Sequence, residues 1–103
     1  MRVALVNLPW QVNNRFGVRA GSRWPFTSLP EKDGLSYYYP FPFSLAYATS
    51  LLKNNSHEVA IVDAIAESLS KAQLIKRLIL TSPEIIFFET STPSFIQDIK
   101  LIQ

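Results

Sequence analysis

The sequence predicts an α/β domain, a parallel sheet with helices on both faces, and three observations predict it. Residues 3–6, 59–62 and 85–88 are unbroken apolar runs, each followed by a polar or turn-forming residue. Runs without polar alternation are what strands require when helices cover both sides of a sheet. Segments of helical period fall between and after these runs, so strand and helix alternate along the chain. The third observation is composition: 48% apolar residues with 17% charged is enough to build a core and too apolar for a disordered tail.

The first strand, Val3-Ala4-Leu5-Val6, runs out at Asn7-Leu8-Pro9, the second at Asp63, and the third at Glu89-Thr90-Ser91. A helix is expected over residues 43–54, where Leu45, Ala48 and Leu52 recur at helical spacing and Asn54-Asn55 offers a left-handed stop. The next helix has a sharper start. Ser70 with Gln73 three residues on forms a capping box, and Leu69 can staple onto Leu74. Its apolar stripe is Leu74, Ile75, Leu78 and Ile79, and Ser82-Pro83 ends it. A third helix begins near Thr92-Pro93-Ser94, with Thr92 or Ser94 as its cap and Phe95, Ile99 and Ile102 on one face. Three β/α units are fewer than the five or six strands of a doubly wound domain, about 4–6 being usual for a sheet, so the domain is expected to be incomplete. Its open sheet edge is then available for self-association.

Residues 9–42 separate the first strand from its helix, where a connection of about 2–6 residues would do. All three glycines, most of the aromatic residues, and Arg15, Arg19 and Arg23 fall there. Such a segment reads as a lid or binding loop. The run Tyr37-Tyr38-Tyr39-Pro40-Phe41-Pro42-Phe43 reads as core packing and helix entry.

Several function classes are excluded by counting. With no cysteine and one histidine, the chain has no disulfide framework, iron–sulfur ligands or zinc site of its own. Ten Lys and Arg against eight Asp and Glu, scattered along the chain, make no nucleic-acid footprint. Residues 34–52 are uncharged, but Pro40, Pro42, Tyr37, Tyr38, Tyr39 and several hydroxyls argue against a membrane span. No signal-peptide core is seen, so a cytoplasmic address is expected.

Ligands of open α/β sheets bind at the carboxyl ends of the strands. Here that edge is built from residues 7–10, 63–66 and 89–94. A dinucleotide site needs Gly-x-Gly-x-x-Gly after the first strand, and this chain has Asn7-Leu8-Pro9-Trp10-Gln11-Val12, which leaves a nucleotide-binding Rossmann-like domain as a third reading only. Thr90, Ser91, Thr92 and Ser94 lead into a helix N-terminus, which favours anions or polar amide ligands. Asp63 and Glu89 lack a nucleophile to assist, so structural hydrogen bonding is expected of them. His57 precedes the second strand, at the opposite edge.

Asn7-x-Pro9, Arg19-Ala20-Gly21-Ser22-Arg23-Trp24-Pro25, Pro40-Phe41-Pro42-Phe43-x-Leu45-Ala46-Tyr47, His57-Glu58-Val59-x-Ile61-Val62-Asp63-Ala64 and Glu89-Thr90-Ser91-Thr92-Pro93-Ser94 follow one another in this order. Together they resemble the N-terminal cobalamin-binding domain of B12-dependent radical SAM enzymes, which include methyltransferases and the anaerobic magnesium-protoporphyrin monomethyl ester cyclase group. The resemblance spans nearly the whole chain. It implies a flavodoxin-like (Rossmann-like) sheet with the corrin on its carboxyl edge, residues 1–103 forming the N-terminal portion of that domain with an insertion at about 9–42. It also implies a downstream radical SAM domain, absent here, that holds S-adenosylmethionine and a 4Fe-4S cluster. The cofactor-binding residues it implies are Asn7, Pro9, Arg19, Ser22, Asp63, Thr90, Ser91, Thr92 and Ser94, with no catalytic residue and no metal ligand. Two departures matter. The Asp-x-His-x-x-Gly motif is missing, so cobalamin would bind base-off with no histidine from this chain, and the radical-domain cysteines are missing, so the segment would bind rather than catalyse. The alternative from another class is a non-catalytic domain-interaction module.

Overall fold

The computed structural model describes residues 1–12, 15–17, 28–30, 41–92 and 94–103. Its centre is the strand β1 (Arg2–Asn7), and the loop that follows carries two further short strands of a separate sheet, β2 (Gln11–Val12) and β3 (Arg15–Gly17), joined by β4 (Ser28–Pro30). Then come α1 (Phe43–Asn54), β5 (Glu58–Asp63), α2 (Lys71–Thr81), β6 (Ile85–Glu89) and α3 (Phe95–Ile102). The main sheet has the order β5-β1-β6 and is parallel throughout. This is the expected α/β architecture, a flavodoxin-like parallel sheet.

Alternation along β1 divides the core in two. Ala4 and Val6 join Leu8, Val62, Ala64 and Leu74, with Leu101 of α3 packed against them. Val3 and Leu5 point the other way, onto Leu45, Ala48 and Leu52 of α1. So α1 covers one face, while α2 and α3 cover the other. Because the chain leaves β1 for one face and β6 for the other, the switch point of the sheet lies between the carboxyl ends of these two strands.

The amino edge is closed by its own contacts. The backbone N–H of Arg2 donates to Glu84 Oε2 at 2.6 Å, and Arg2 Nε donates to the carbonyl of Ser82 at 2.9 Å. That backbone hydrogen bond, then the nearby guanidinium and amino terminus, hold the Glu84 carboxyl below its ordinary value.

Each helix end follows a local rule, though not always at the expected residue. The capping box of α2 is complete, with Ser70 Oγ accepting from the Gln73 N–H and Gln73 Oε1 accepting from the Ser70 N–H. Leu69 packs on the core cluster that contains Leu74, as a staple requires. The left-handed stop of α1 is Ser56, with φ 63°, and not the Asn54-Asn55 pair. His57 N–H reaches the Leu52 carbonyl and Ser56 N–H the Lys53 carbonyl, the two bonds of a Schellman ending. This motif places the left-handed residue one position later than the asparagines.

Two expected apolar faces are corrected. In α2 only Leu74 and Leu78 meet the core, while Ile75 and Ile79 are exposed, because a single ridge of this helix touches the sheet. In α3 the expected face of Phe95, Ile99 and Ile102 is turned away: Phe95 and Ile102 are about half exposed, and the inward row is Ser94, Asp98 and Leu101. The hydrogen bonds of Asp98, described below, fix that rotation. Phe41 and Phe43 make an edge-to-face pair 5.0 Å apart, and both are exposed, so they are not core. Residues 37–40 lie outside the described residues. Within the inserted segment 9–42, β2, β3 and β4 pair antiparallel.

Leu74 is 0% exposed and Leu80, on the same helix, 76%. Leu74→Ala is expected to lower the unfolding free energy in urea by about 2–5 kcal/mol, and Leu80→Ala by no more than about 0.5 kcal/mol.

Candidate functional site

Register brings three polar residues side by side at the carboxyl edge. Asn7 closes β1 opposite Asp63 of β5 on one side and Glu89 of β6 on the other. Asn7 is 2% exposed, and its Nδ2 donates to Asp63 Oδ1 at 2.9 Å. The same oxygen accepts from the N–H groups of Ile65 and Ala66 at 3.2 and 3.1 Å. One carboxylate oxygen therefore ties β1 to β5 and shapes the turn that leads to α2. Asp63 acts structurally here, as the lack of a nucleophile predicts, and Pro9 lies half-buried just beyond this edge.

The second cluster follows β6, around a buried carboxylate. Asp98 is 1% exposed, and its Oδ2 accepts from Thr90 Oγ1 and from Ser94 Oγ, each at 2.7 Å. Ser94 Oγ also lies 2.8 Å from Ser91 Oγ and accepts from the Ser91 N–H at 3.2 Å. Ser94 holds the N-cap position of α3, yet its side chain makes no cap bond, because its hydroxyl is engaged with Asp98 and Ser91. The expectation that Thr92 or Ser94 caps the helix through its hydroxyl is corrected for Ser94. Thr90, Ser91, Thr92, Phe95 and Ile96 line an open cleft of 480 Å³ above this cluster.

Of the expected site residues, the structure thus joins Asn7 with Asp63, and Thr90 and Ser91 with Ser94, and it sets Thr92 in the same cleft. Arg19 and Ser22 lie outside the described residues, as do Arg23 and the side chain of Arg15. Asp98 was not anticipated. Its signal was an acid four residues after Ser94, a spacing that puts both side chains on one helix face.

The opposite edge carries His57, whose N–H is bonded to Leu52 and whose Nδ1 is buried without a hydrogen-bond partner among the described residues. It stands at the amino end of β5, a full strand from Asp63, so it offers nothing to a ligand on the carboxyl edge. No cluster of three or more His, Cys, Asp or Glu residues suited to a metal ion occurs among the described residues. Among these residues, no helix is long and apolar enough to cross a membrane.

Comparison with protein-family models, with curated proteins and with solved structures finds no match for this chain.

Asp63→Ala removes three hydrogen bonds at one oxygen and is expected to lower the unfolding free energy by about 1–3 kcal/mol. Asp63→Asn keeps an acceptor oxygen in place and is expected to cost less than Asp63→Ala in the same urea titration.

Proposed function

We propose that this chain is a non-catalytic cofactor-binding module whose ligand, cobalamin, lies across the carboxyl edge of the sheet. One observation carries the reading: the hydroxyl cleft of Thr90, Ser91 and Thr92 opens beside the switch point where β1 and β6 end. A corrin is a broad flat ring rimmed by amide groups, so it asks for neutral polar contacts over a platform rather than for a catalytic side chain. The donor set fits the rim. Thr90, Ser91 and Thr92 would meet side-chain amides, and Asn7 and Asp63 would hold the platform's shape. The cleft of 480 Å³ takes a portion of the rim, the rest of the ring lying over the edge. No histidine stands on this edge, which fits a corrin bound without a protein imidazole on its metal. Bound cobalamin would supply methyl-transfer or cyclase-type chemistry only together with a radical SAM domain holding S-adenosylmethionine and an iron–sulfur cluster.

A second reading, a domain-interaction module, is favoured by a different observation. Phe43, Tyr47 and Leu51 form an exposed stripe along α1, next to an apolar groove of 380 Å³ whose walls include Leu51, Ala48 and Phe87. A β6 edge with no strand beside it among the described residues, together with this groove, suits a neighbouring α/β element laid against the α1 face.

Titration of the chain with hydroxocobalamin, followed by its visible spectrum, separates the two. Cofactor binding gives a saturable spectral change that is the same in His57→Ala, since no imidazole from this chain reaches the metal. An unchanged spectrum together with no corrin retained on gel filtration would contradict cofactor binding and leave the interaction reading.

A further inference from the structure

The outer edge of β6 and the apolar groove beside it form one surface. Register sets Ile85 and Phe87 of β6 beside Val3 and Leu5 of β1, on the face that α1 covers. That helix rests mainly on β5 and β1, so the Phe87 row stays half bare and the groove opens between it and Ser44, Ala48 and Leu51 of α1. On the other face Ile86 is also nearly half exposed. Edge strands are commonly blunted by a lysine or a proline. The sequence of β6, Ile-Ile-Phe-Phe-Glu, has neither, and no strand lies beside it among the described residues.

Whatever covers this surface must offer strand backbone and uncharged apolar side chains together. A second copy of the same chain offers both, and a two-fold axis through Phe87, the middle residue of β6, matches them. In that antiparallel pairing Phe87 meets Phe87, Ile86 meets Phe88 and Ile85 meets Glu89. Each residue meets one of its own parity along the strand, so N–H and C=O groups that point outward from one copy meet outward groups of the other. Apolar pairs then form on both faces, and the exposed Tyr47 and Leu51 of each α1 flank the Phe87 pair. Charge favours this orientation as well. Glu89 is the one charged residue of β6, and antiparallel pairing separates the two copies of it by roughly 13 Å along the strands, beyond a Debye length of about 8 Å. A parallel pairing in register would set the two carboxylates side by side.

The area is sufficient. Phe43, Tyr47 and Phe87 are half to three-quarters exposed, and at about 150–250 Å² for each aromatic side chain they offer roughly 350 Å². Leu51, Ile85, Ile86 and the strand backbone bring the patch to the order of the 800 Å² that each partner gives to a standard-size interface. We infer that two copies of this chain associate through β6, antiparallel about a two-fold axis at Phe87, joining their main sheets into one. The inference rests on the domain-interaction reading for the use of this surface and names its occupant; it does not depend on cobalamin.

Sedimentation velocity from about 10 µM to about 1 mM is expected to show a concentration-dependent species of twice the 11.7 kDa chain mass. Phe87→Glu, which sets two carboxylates face to face at a half-exposed site, is expected to weaken the dimer roughly a hundredfold with its far-UV circular dichroism unchanged. Leu80→Glu, on an exposed part of α2 beside β5, is expected to leave it intact. The register has its own readout, because the chain has no cysteine. Phe87→Cys places two thiols on directly opposed residues, with Cα atoms about 4.5–5.5 Å apart, and is expected to form a disulfide-linked dimer on mild oxidation. Ile86→Cys, opposed to Phe88, leaves its two thiol-bearing Cα atoms about 8 Å apart and is expected to cross-link at least tenfold more slowly. A monomer at every concentration, a dimer indifferent to Phe87→Glu, or faster cross-linking at 86 than at 87 would overturn the inference. A monomer that still binds hydroxocobalamin would remove the dimer and keep the cofactor reading, whereas a Phe87-centred dimer with no response to hydroxocobalamin would do the reverse.

Discussion

Everything else in this molecule hangs on the double burial of β1. That strand is hydrogen-bonded along both edges, to β5 and to β6, and its residues 3–7 are all buried. Val3 and Leu5 anchor α1, while Ala4 and Val6 anchor the face shared by α2 and α3. A polar side chain at any of these positions would face a helix on whichever side it pointed, which is why the run contains none. The first polar residue, Asn7, comes where the strand reaches the edge, and it is satisfied by Asp63 of the neighbouring strand. Burial of the strand thus dictates where the polar edge begins, and the edge is where a ligand can be met.

The parts of the fold that were legible are those set by local rules. Unbroken apolar runs marked the three strands of the main sheet, and Ser70 with Gln73 marked the start of α2, because each signal is contained in a few adjacent residues. Helix rotation was less legible. Periodicity alone favoured Phe95, Ile99 and Ile102 as the inner row of α3, yet a buried acid with two hydroxyl donors turned Ser94, Asp98 and Leu101 inward instead. A charged residue reads as outward in any hydropathy pattern. Partners such as Thr90 and Ser94, one of them from the strand end, offset the cost of its burial. The small sheet of β2, β3 and β4 was missed because strands of two or three residues carry no periodicity to count.

The candidate site divides in the same way. Its place at the carboxyl edge follows from strand order, and the hydroxyls of residues 90–94 were visible as composition. Their hydrogen bonding was not, since it depends on Asp98, which comes from the following helix. The Asn7–Asp63 pair is architecture, joining two strands and a turn, whereas Thr90 and Ser91, bonded to the buried Asp98 and Ser94 behind them, line an open cleft. That difference separates the residues that build the edge from those that face open space.

Amide hydrogen exchange with and without hydroxocobalamin shows whether the carboxyl edge at the β1–β6 switch point is the binding surface proposed above. Slowed exchange is expected at residues 63–66 and at the non-proline residues of 90–98, with unchanged exchange at the amino edge, residues 56–58, 82 and 84. Protection centred on the amino edge, or on neither, would contradict it.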